Sequence, residues 1–186
     1  MKIIGGKFKG RNFYMPQGIQ PTQNIARKAV FDLMGQDLSG LTFLDLFAGS
    51  GAVGLEAVSR GASGVTFVEK EPRFAEIIRE NADLLKVPLG QGGDSPCKLI
   101  NTDAFAAVKV LAREGRKFHI VFADPPYGLG LAKKILKTLG AYDIVMPTST
   151  VILQHERREI LPAAEGRLLL LRQRKYGNTW LSIYGC

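Results

Sequence analysis

The sequence predicts an α/β fold: a doubly wound, mostly parallel sheet with helices on both faces. Three observations carry that prediction. From residue 41 onward, short apolar runs alternate with amphipathic stretches at helical spacing. A glycine-rich turn, Leu46-Phe47-Ala48-Gly49-Ser50-Gly51, joins the first run to the first helical stretch. The last two runs are separated only by the polar segment "QRKYGN", which predicts an antiparallel last strand at a sheet edge.

Taken in order, the chain opens with two short extended pieces broken by Gly5-Gly6 and Gly10, a small hairpin-like arm. Residues 20–35 predict a helix. Thr22 is placed as its N-cap, Ile25, Ala26, Ala29, Val30 and Leu33 form an apolar stripe, and Gly35 stops it. Strands are predicted at 42–47, 64–69, 97–101, 118–123, 150–155, 167–172 and 179–184, and helices at 52–60, 72–86, 103–114 and 129–139. The Gly/Pro-rich stretch 88–96, "PLGQGGDSP", is a loop. No internal repeat interrupts this pattern, so residues 1–186 form one domain, with 1–20 as a basic N-terminal arm.

The composition suits a globular protein with a full core: 46% of the 186 residues are hydrophobic and 23% are charged. No apolar run approaches the roughly 18 residues of a membrane span, and no signal-peptide pattern opens the chain. A cytoplasmic protein without a membrane partner is expected. Cys97 and Cys186 lie far apart without metal-ligand spacing, and no ligand cluster surrounds His119 or His155, so no metal is expected. The two histidines read as strand-end residues rather than catalytic bases. Net charge is +8, and it is unevenly placed. Residues 1–31 hold Lys2, Lys7, Lys9, Arg11, Arg27 and Lys28 and no acid; a second group comprises Arg157, Arg158, Arg167, Arg172, Arg174 and Lys175. Clusters of this kind suit a nucleic acid, because each neutralised phosphate releases counterions.

Gly49, Gly51 and Gly54 match G-x-G-x-x-G, and Glu69 lies 20 residues after Gly49 at the end of the second strand. This is also the dinucleotide fingerprint. However, Asp45 precedes the glycines inside the strand, where it would repel a pyrophosphate and attract an ammonium group. S-adenosylmethionine carries an α-ammonium and a sulfonium and no phosphate. On this reading Phe47, Ala48, Gly49, Ser50 and Gly51 form the cofactor loop. Glu69, with Lys70 beside it, accepts from two ribose hydroxyls. Asp103 accepts from the adenine amino group while the N–H of Ala104 meets a ring nitrogen. Asp103 also fits a plain helix N-cap.

The fourth strand ends in "FADPPY", 122–127. Two consecutive prolines end any ladder and fix their own φ angles. If both N–H groups of a nucleobase exocyclic amine are held, by the Asp124 carboxylate and the Pro125 carbonyl, the nitrogen lone pair localises and can attack a sulfonium methyl. Pro126 stiffens the turn, and Tyr127 can stack on the base.

These motifs resemble class I S-adenosylmethionine-dependent methyltransferases acting on exocyclic amines, whose fourth strand carries [DNS]-P-P-[YFW]. More narrowly, the chain is similar to the bacterial small-subunit ribosomal RNA guanine-N2 methyltransferase family. The residues that carry this are "MKIIGGKFKGRNFYMP" at the start, "PT" plus the helix at 21–34, "LDLFAGSGAVGLEAVSRGA" at 44–62, "FVEK" at 67–70, "DPPY" at 124–127 and "KYGNTWLSIY" at 175–184. The resemblance implies a Rossmann-like methyltransferase sheet, S-adenosylmethionine as cofactor and a guanine of 16S rRNA within an assembling small subunit as target. A monomer is expected. Asp124, Pro125, Pro126 and Tyr127 would then be catalytic, and Lys7, Lys9, Arg11, Arg27 and Lys28 would grip rRNA phosphates. The chain departs from the family pattern R-P-T-x-D-x-x-R-E at Gln20, Asn24 and Lys28, and has His119 where an acid is common.

Three other readings compete. A DNA adenine-N6 methyltransferase would share Asp124–Tyr127, but 186 residues leave no room for a domain that reads a DNA site. A non-catalytic RNA-binding assembly factor would not need Asp45, Glu69 and Asp124 together. A nicotinamide-dependent oxidoreductase would have to accept Asp45 beside its pyrophosphate.

Overall fold

The computed structural model describes residues 1–15, 24–90 and 95–186, with residues 24–26 as backbone only. In chain order the elements are α1 (Asn24–Met34), β1 (Thr42–Leu46), α2 (Ala52–Ser59), β2 (Gly64–Glu69), α3 (Pro72–Leu85), β3 (Leu89–Gly90), β4 (Cys97–Asn101) and α4 (Ala104–Arg113). There follow β5 (Phe118–Ala123), α5 (Leu131–Ala141), β6 (Val145–Glu156), β7 (Ala164–Glu165), β8 (Leu168–Tyr176) and β9 (Thr179–Gly185). The predicted cap Thr22 and the departure at Gln20 lie outside the described residues.

One sheet holds the strands in the order β3-β4-β2-β1-β5-β6-β9-β8-β7. The chain runs outward from β1 through β2 to β4, then returns to β5 on the other side of β1. This makes the β1/β5 junction the switch point where an open α/β sheet forms its crevice. From β3 to β6 all pairs are parallel, whereas β9 is antiparallel to both β6 and β8. Strands buried on both faces need apolar side chains on both, so β1, β2 and β5 read as near-continuous hydrophobic runs. One face packs Phe43, Phe67, Phe122 and Ile152 against α1, α2 and α3. The other packs Leu44, Val121, Val151 and Leu153 against α4 and α5.

Three boundaries differ from expectation. β6 begins at Val145 rather than 150, and β8 continues to Tyr176 rather than stopping at 172. Both extensions are half-exposed, so polar residues there need no apolar pattern. Within the predicted loop 88–96, Leu89 and Gly90 pair with Cys97 and Lys98.

The N-terminal arm folds back on itself: Ile3 donates its N–H to the Arg11 carbonyl (3.0 Å), and Gly10 donates to the Ile3 carbonyl (2.9 Å). It is held to α2 by Glu56, which is fully buried. The Glu56 carboxylate accepts from the backbone N–H of Ile4 (2.8 Å) and Gly5 (2.7 Å) and pairs with Arg60 (2.9 Å). Asn81 of α3, also buried, makes a second link. It accepts from the Tyr14 N–H at 2.7 Å and donates to the Tyr14 carbonyl at 2.9 Å and the Ser50 carbonyl at 3.0 Å. The arm and the glycine turn thus share one side chain.

Candidate active site

Side chains two residues apart share a sheet face. Asp45 therefore follows Phe43, Glu69 follows Phe67 and Asp124 follows Phe122, all onto the face covered by α1–α3. The register sets β1 between β2 and β5, with Asp45 paired to Phe67 and to Phe122. The three carboxylates meet at the C-terminal edge of the parallel strands, at the switch point.

The turn after β1 is shaped to approach them. Gly49 and Gly51 take φ of 56° and 77°, and Phe47 takes 61°, a left-handed value unusual for a residue with a Cβ. Gly54 has a different reason: a Cβ there would lie 2.3 Å from Phe67 Cε1, so only glycine lets α2 sit this close to β2. The loop is locked by acids. Glu69 accepts from the Gly49 N–H at 2.7 Å and from the Glu71 N–H at 2.8 Å. Asp45 accepts from the Gly54 N–H at 2.8 Å, satisfying a first-turn donor of α2 from outside the helix. Asp45 is 1% exposed. Burial raises its pKa to about 8 against the pull of the Gly54 hydrogen bond, with Asp124 and Glu69 adding to the rise. The segment Phe47–Gly54 contains no basic residue. Acceptors gathered around a turn that carries no basic residue suit a positively charged ligand and oppose a polyphosphate.

Asp124 lies one residue beyond Ala123, which pairs with Leu153 of β6. Gln154 consequently stands beside it, and its amide Nε2 donates to Asp124 Oδ2 at 2.9 Å and to the Tyr127 hydroxyl oxygen at 3.3 Å. The Tyr127 hydroxyl also meets Thr179 Oγ1 at 3.0 Å. Burial, with the Asp124 charge nearby, pushes the Tyr127 pKa up, so its hydroxyl stays neutral. Pro125 is buried, Pro126 is exposed, and Tyr127 is 38% exposed with its hydroxyl anchored.

The remaining predicted residues divide. Asp103 is an N-cap: its Oδ1 accepts from the N–H groups of Phe105 (2.9 Å) and Ala106 (3.3 Å). Ala104 is buried as the first residue of α4, and Lys70 is exposed next to Glu69. Lys7, Lys9 and Lys28 are exposed. Arg11 is exposed too, but its guanidinium caps α3 by donating to the carbonyls of Leu84 (2.6 Å) and Leu85 (3.2 Å). Arg27 corrects the sequence reading. Its side chain is fully buried, donates to the Lys2 carbonyl at 2.7 Å and lies 4.0 Å from Glu56, so it braces the arm and cannot reach a phosphate. Arg27 is three residues before Val30 and four before Phe31, on the apolar stripe of α1, and that spacing was the available signal. Gln154, Thr179 and Asn81 were not singled out in the sequence, because only strand order, and for Asn81 the packing of α3, brings them to the site.

The histidines lie elsewhere. His119 Nδ1 accepts from the Thr42 N–H at 3.2 Å at the opposite, N-terminal edge of β5. His155 is buried on the other face from Gln154, with Nε2 2.7 Å from Ser182 Oγ, and burial lowers its pKa. Among the described residues, no group of three His, Cys, Asp or Glu side chains is arranged to hold a metal ion. No helix there is long and apolar enough to cross a membrane.

Comparison with known proteins finds relatives that cover nearly the whole chain. The family described as Conserved hypothetical protein 95 matches residues 1–185. The chain belongs to this family. Its relatives include a Bacillus subtilis protein provisionally named an rRNA methyltransferase, YlbH, 30% identical over 99% of this chain and 98% of that one. Ribosomal RNA small subunit methyltransferase D of Escherichia coli K12 is 29% identical, covering 99% of this chain and 89% of that one. Among solved structures, a hypothetical protein of Thermus thermophilus superimposes with a TM-score of 0.84 at 29% identity, covering 100% of this chain and 99% of that one. The likeness to solved structures extends to the sheet described above.

Proposed function

We propose that this chain transfers a methyl group from S-adenosylmethionine to the exocyclic N2 amine of a guanine in 16S ribosomal RNA, presented within an assembling small subunit. The observation that carries this reading is the placement of Asp124-Pro125 at one sheet edge beside Asp45 and Glu69. An acceptor pair for an amine thereby adjoins a carboxylate-lined turn that suits a cation.

S-adenosylmethionine, when bound, supplies an electrophilic methyl group on a sulfonium. The residues that fit it are Asp45 for the ammonium end, Phe47–Gly51 for close backbone approach, Glu69 for the ribose hydroxyls, and Lys70, Asp103 and Ala104 at the rim. Asp124 and the Pro125 carbonyl accept from the two N–H groups of the target amine. This draws the lone pair out of ring conjugation and aims it at the methyl carbon. With the donor bound, the N–C bond would form as the S–C bond breaks and leaves its electron pair on a neutral thioether; the nitrogen would gain positive charge, which Asp124 would stabilise before taking the departing proton. Gln154 and Thr179 hold the Tyr127 hydroxyl, so its ring can stack on the extruded base. Lys7, Lys9 and Lys28 are assigned to flanking phosphates. Names of relatives as small-subunit rRNA methyltransferases support the substrate class.

The test is direct. The protein is incubated with methyl-labelled S-adenosylmethionine and, separately, small ribosomal subunits, stripped rRNA and duplex DNA, and the modified nucleoside is identified. N2-methylguanosine from subunits or rRNA is expected. Label in N6-methyladenine of DNA, or none in any arm, would refute the reading.

A further inference from the structure

We infer that the edge strand β8 is a second RNA-binding surface, on which Arg172 and Arg174 take phosphates of the strand flanking the target base. This rests on the RNA-methylating reading above and assigns it a surface other than the N-terminal arm.

The register is the starting point. Gln154, bonded to Asp124, pairs with Leu181 of β9, and Leu181 pairs with Arg174 of β8. Asp124 and Arg174 therefore lie in one cross-strand row, three strand spacings or about 14 Å apart. Alternation places Arg172 and Arg174 on the sheet face that Asp124 occupies. The hairpin end of the same strands also reaches the site. Tyr176 pairs with Thr179, and Thr179 meets the Tyr127 hydroxyl at 3.0 Å. Arg157 donates its N–H to the Asn178 carbonyl at 3.3 Å, which brings Arg157 and Arg158 against the same turn.

The basic side chains there are not tied up in ion pairs among the described residues. Arg157, Arg158, Arg172, Arg174 and Lys175 are all exposed. None of them belongs to the ion pairs found among the described residues; Arg167, the sixth member of the cluster, is paired with Asp143. The chain has no Asp or Glu after Glu165. β7 pairs with Leu168 and Leu169, and Leu170 donates its N–H to the Ala163 carbonyl at 2.8 Å, so from Leu171 onward the outer edge of β8 is open among the described residues. Basic residues on an open edge also deter strand addition. That role needs charge but no proximity to Asp124, and it leaves no salt signature in RNA binding.

The probe is a fluorescein-labelled, guanine-containing single-stranded RNA, titrated with the full chain between 50 and 200 mM KCl. In the variant Arg172→Gln/Arg174→Gln, the slope of log K against log salt should shrink by about 1.4, at about 0.7 per phosphate contact. Affinity at the lowest salt should fall at least tenfold, with S-adenosylmethionine binding unchanged within twofold. A slope and affinity equal to those of the unsubstituted chain would overturn the inference while leaving the function intact. If the double variant aggregates, Arg174→Gln alone carries the test, with an expected loss of about 0.7 in slope. Failure of the unsubstituted chain to bind the RNA would also overturn this inference, while the functional reading stands or falls on its own test with small subunits.

Discussion

The Gln154 amide holds the Asp124 carboxylate at 2.9 Å from the neighbouring strand, and the same nitrogen reaches the Tyr127 hydroxyl. One side chain thus sets the orientation of both the acid and the ring in the Asp-Pro-Pro-Tyr turn. Gln154→Leu removes the donor and keeps the bulk. A hydrogen bond to a charged group is worth about 1.5–3 kcal/mol, so turnover should fall by about tenfold or more. S-adenosylmethionine affinity should hardly move. Comparison of kcat with the cofactor Kd checks this.

Asp124→Ala removes one of the two acceptors for the amine. By analogy with deletion of a transition-state hydrogen-bond partner, kcat should drop about 100-fold or more. Cofactor affinity should change less than about threefold, since the cofactor is assigned to other residues. Single-turnover methyl transfer and equilibrium binding, measured side by side, separate the two effects.

Asp45 makes pH a probe of the turn. Its folded pKa, about 8, lies above that of an unfolded aspartate, so the folded chain holds the proton more tightly. The stability this gives is complete below about pH 4 and is lost as pH rises through about 8. In Asp45→Asn that loss should vanish, as urea melts between pH 6 and 9 will report. A ligand ammonium placed against Asp45 must ionise it. Cofactor binding near pH 7 should then release about one proton, and affinity should rise with pH up to about 8. Calorimetry in buffers of different ionisation enthalpy measures the proton.

Glu56→Ala should be among the most destabilising changes outside the site. It leaves Arg27 and Arg60 buried without their carboxylate and frees the N–H groups of Ile4 and Gly5. Breaking a buried pair by removing one partner costs about 3–5 kcal/mol. Chemical denaturation should show that loss.

The order of strands and helices was legible because β1, β2 and β5 are buried on both faces and must be apolar throughout. The acids were legible for the converse reason: Asp45 among Leu44, Leu46 and Phe47 is costly to bury without a task. What stayed hidden was whatever depends on pairing between distant segments. Gln154 is an ordinary polar residue near a strand end until the register sets it beside Asp124. Arg27 reads as surface charge in a basic stretch, and the buried Glu56 and the Lys2 carbonyl that draw it inward come from distant segments. Glu56 itself sits among Val53, Leu55, Ala57 and Val58, and all eight residues of α2 are buried. An acid in a helix with no polar face was a sign that a partner had to come from elsewhere.

The position of β1 in the middle of the sheet has a consequence for biosynthesis. It pairs on one side with β5, whose residues leave the ribosome much later, and β6 must follow before Asp124 gains its amide partner. Pairings of such high contact order cannot form in a truncated nascent chain. A polypeptide halted before β6 would carry both the glycine turn and the prolines yet remain inert, so competence arrives in one late step of synthesis.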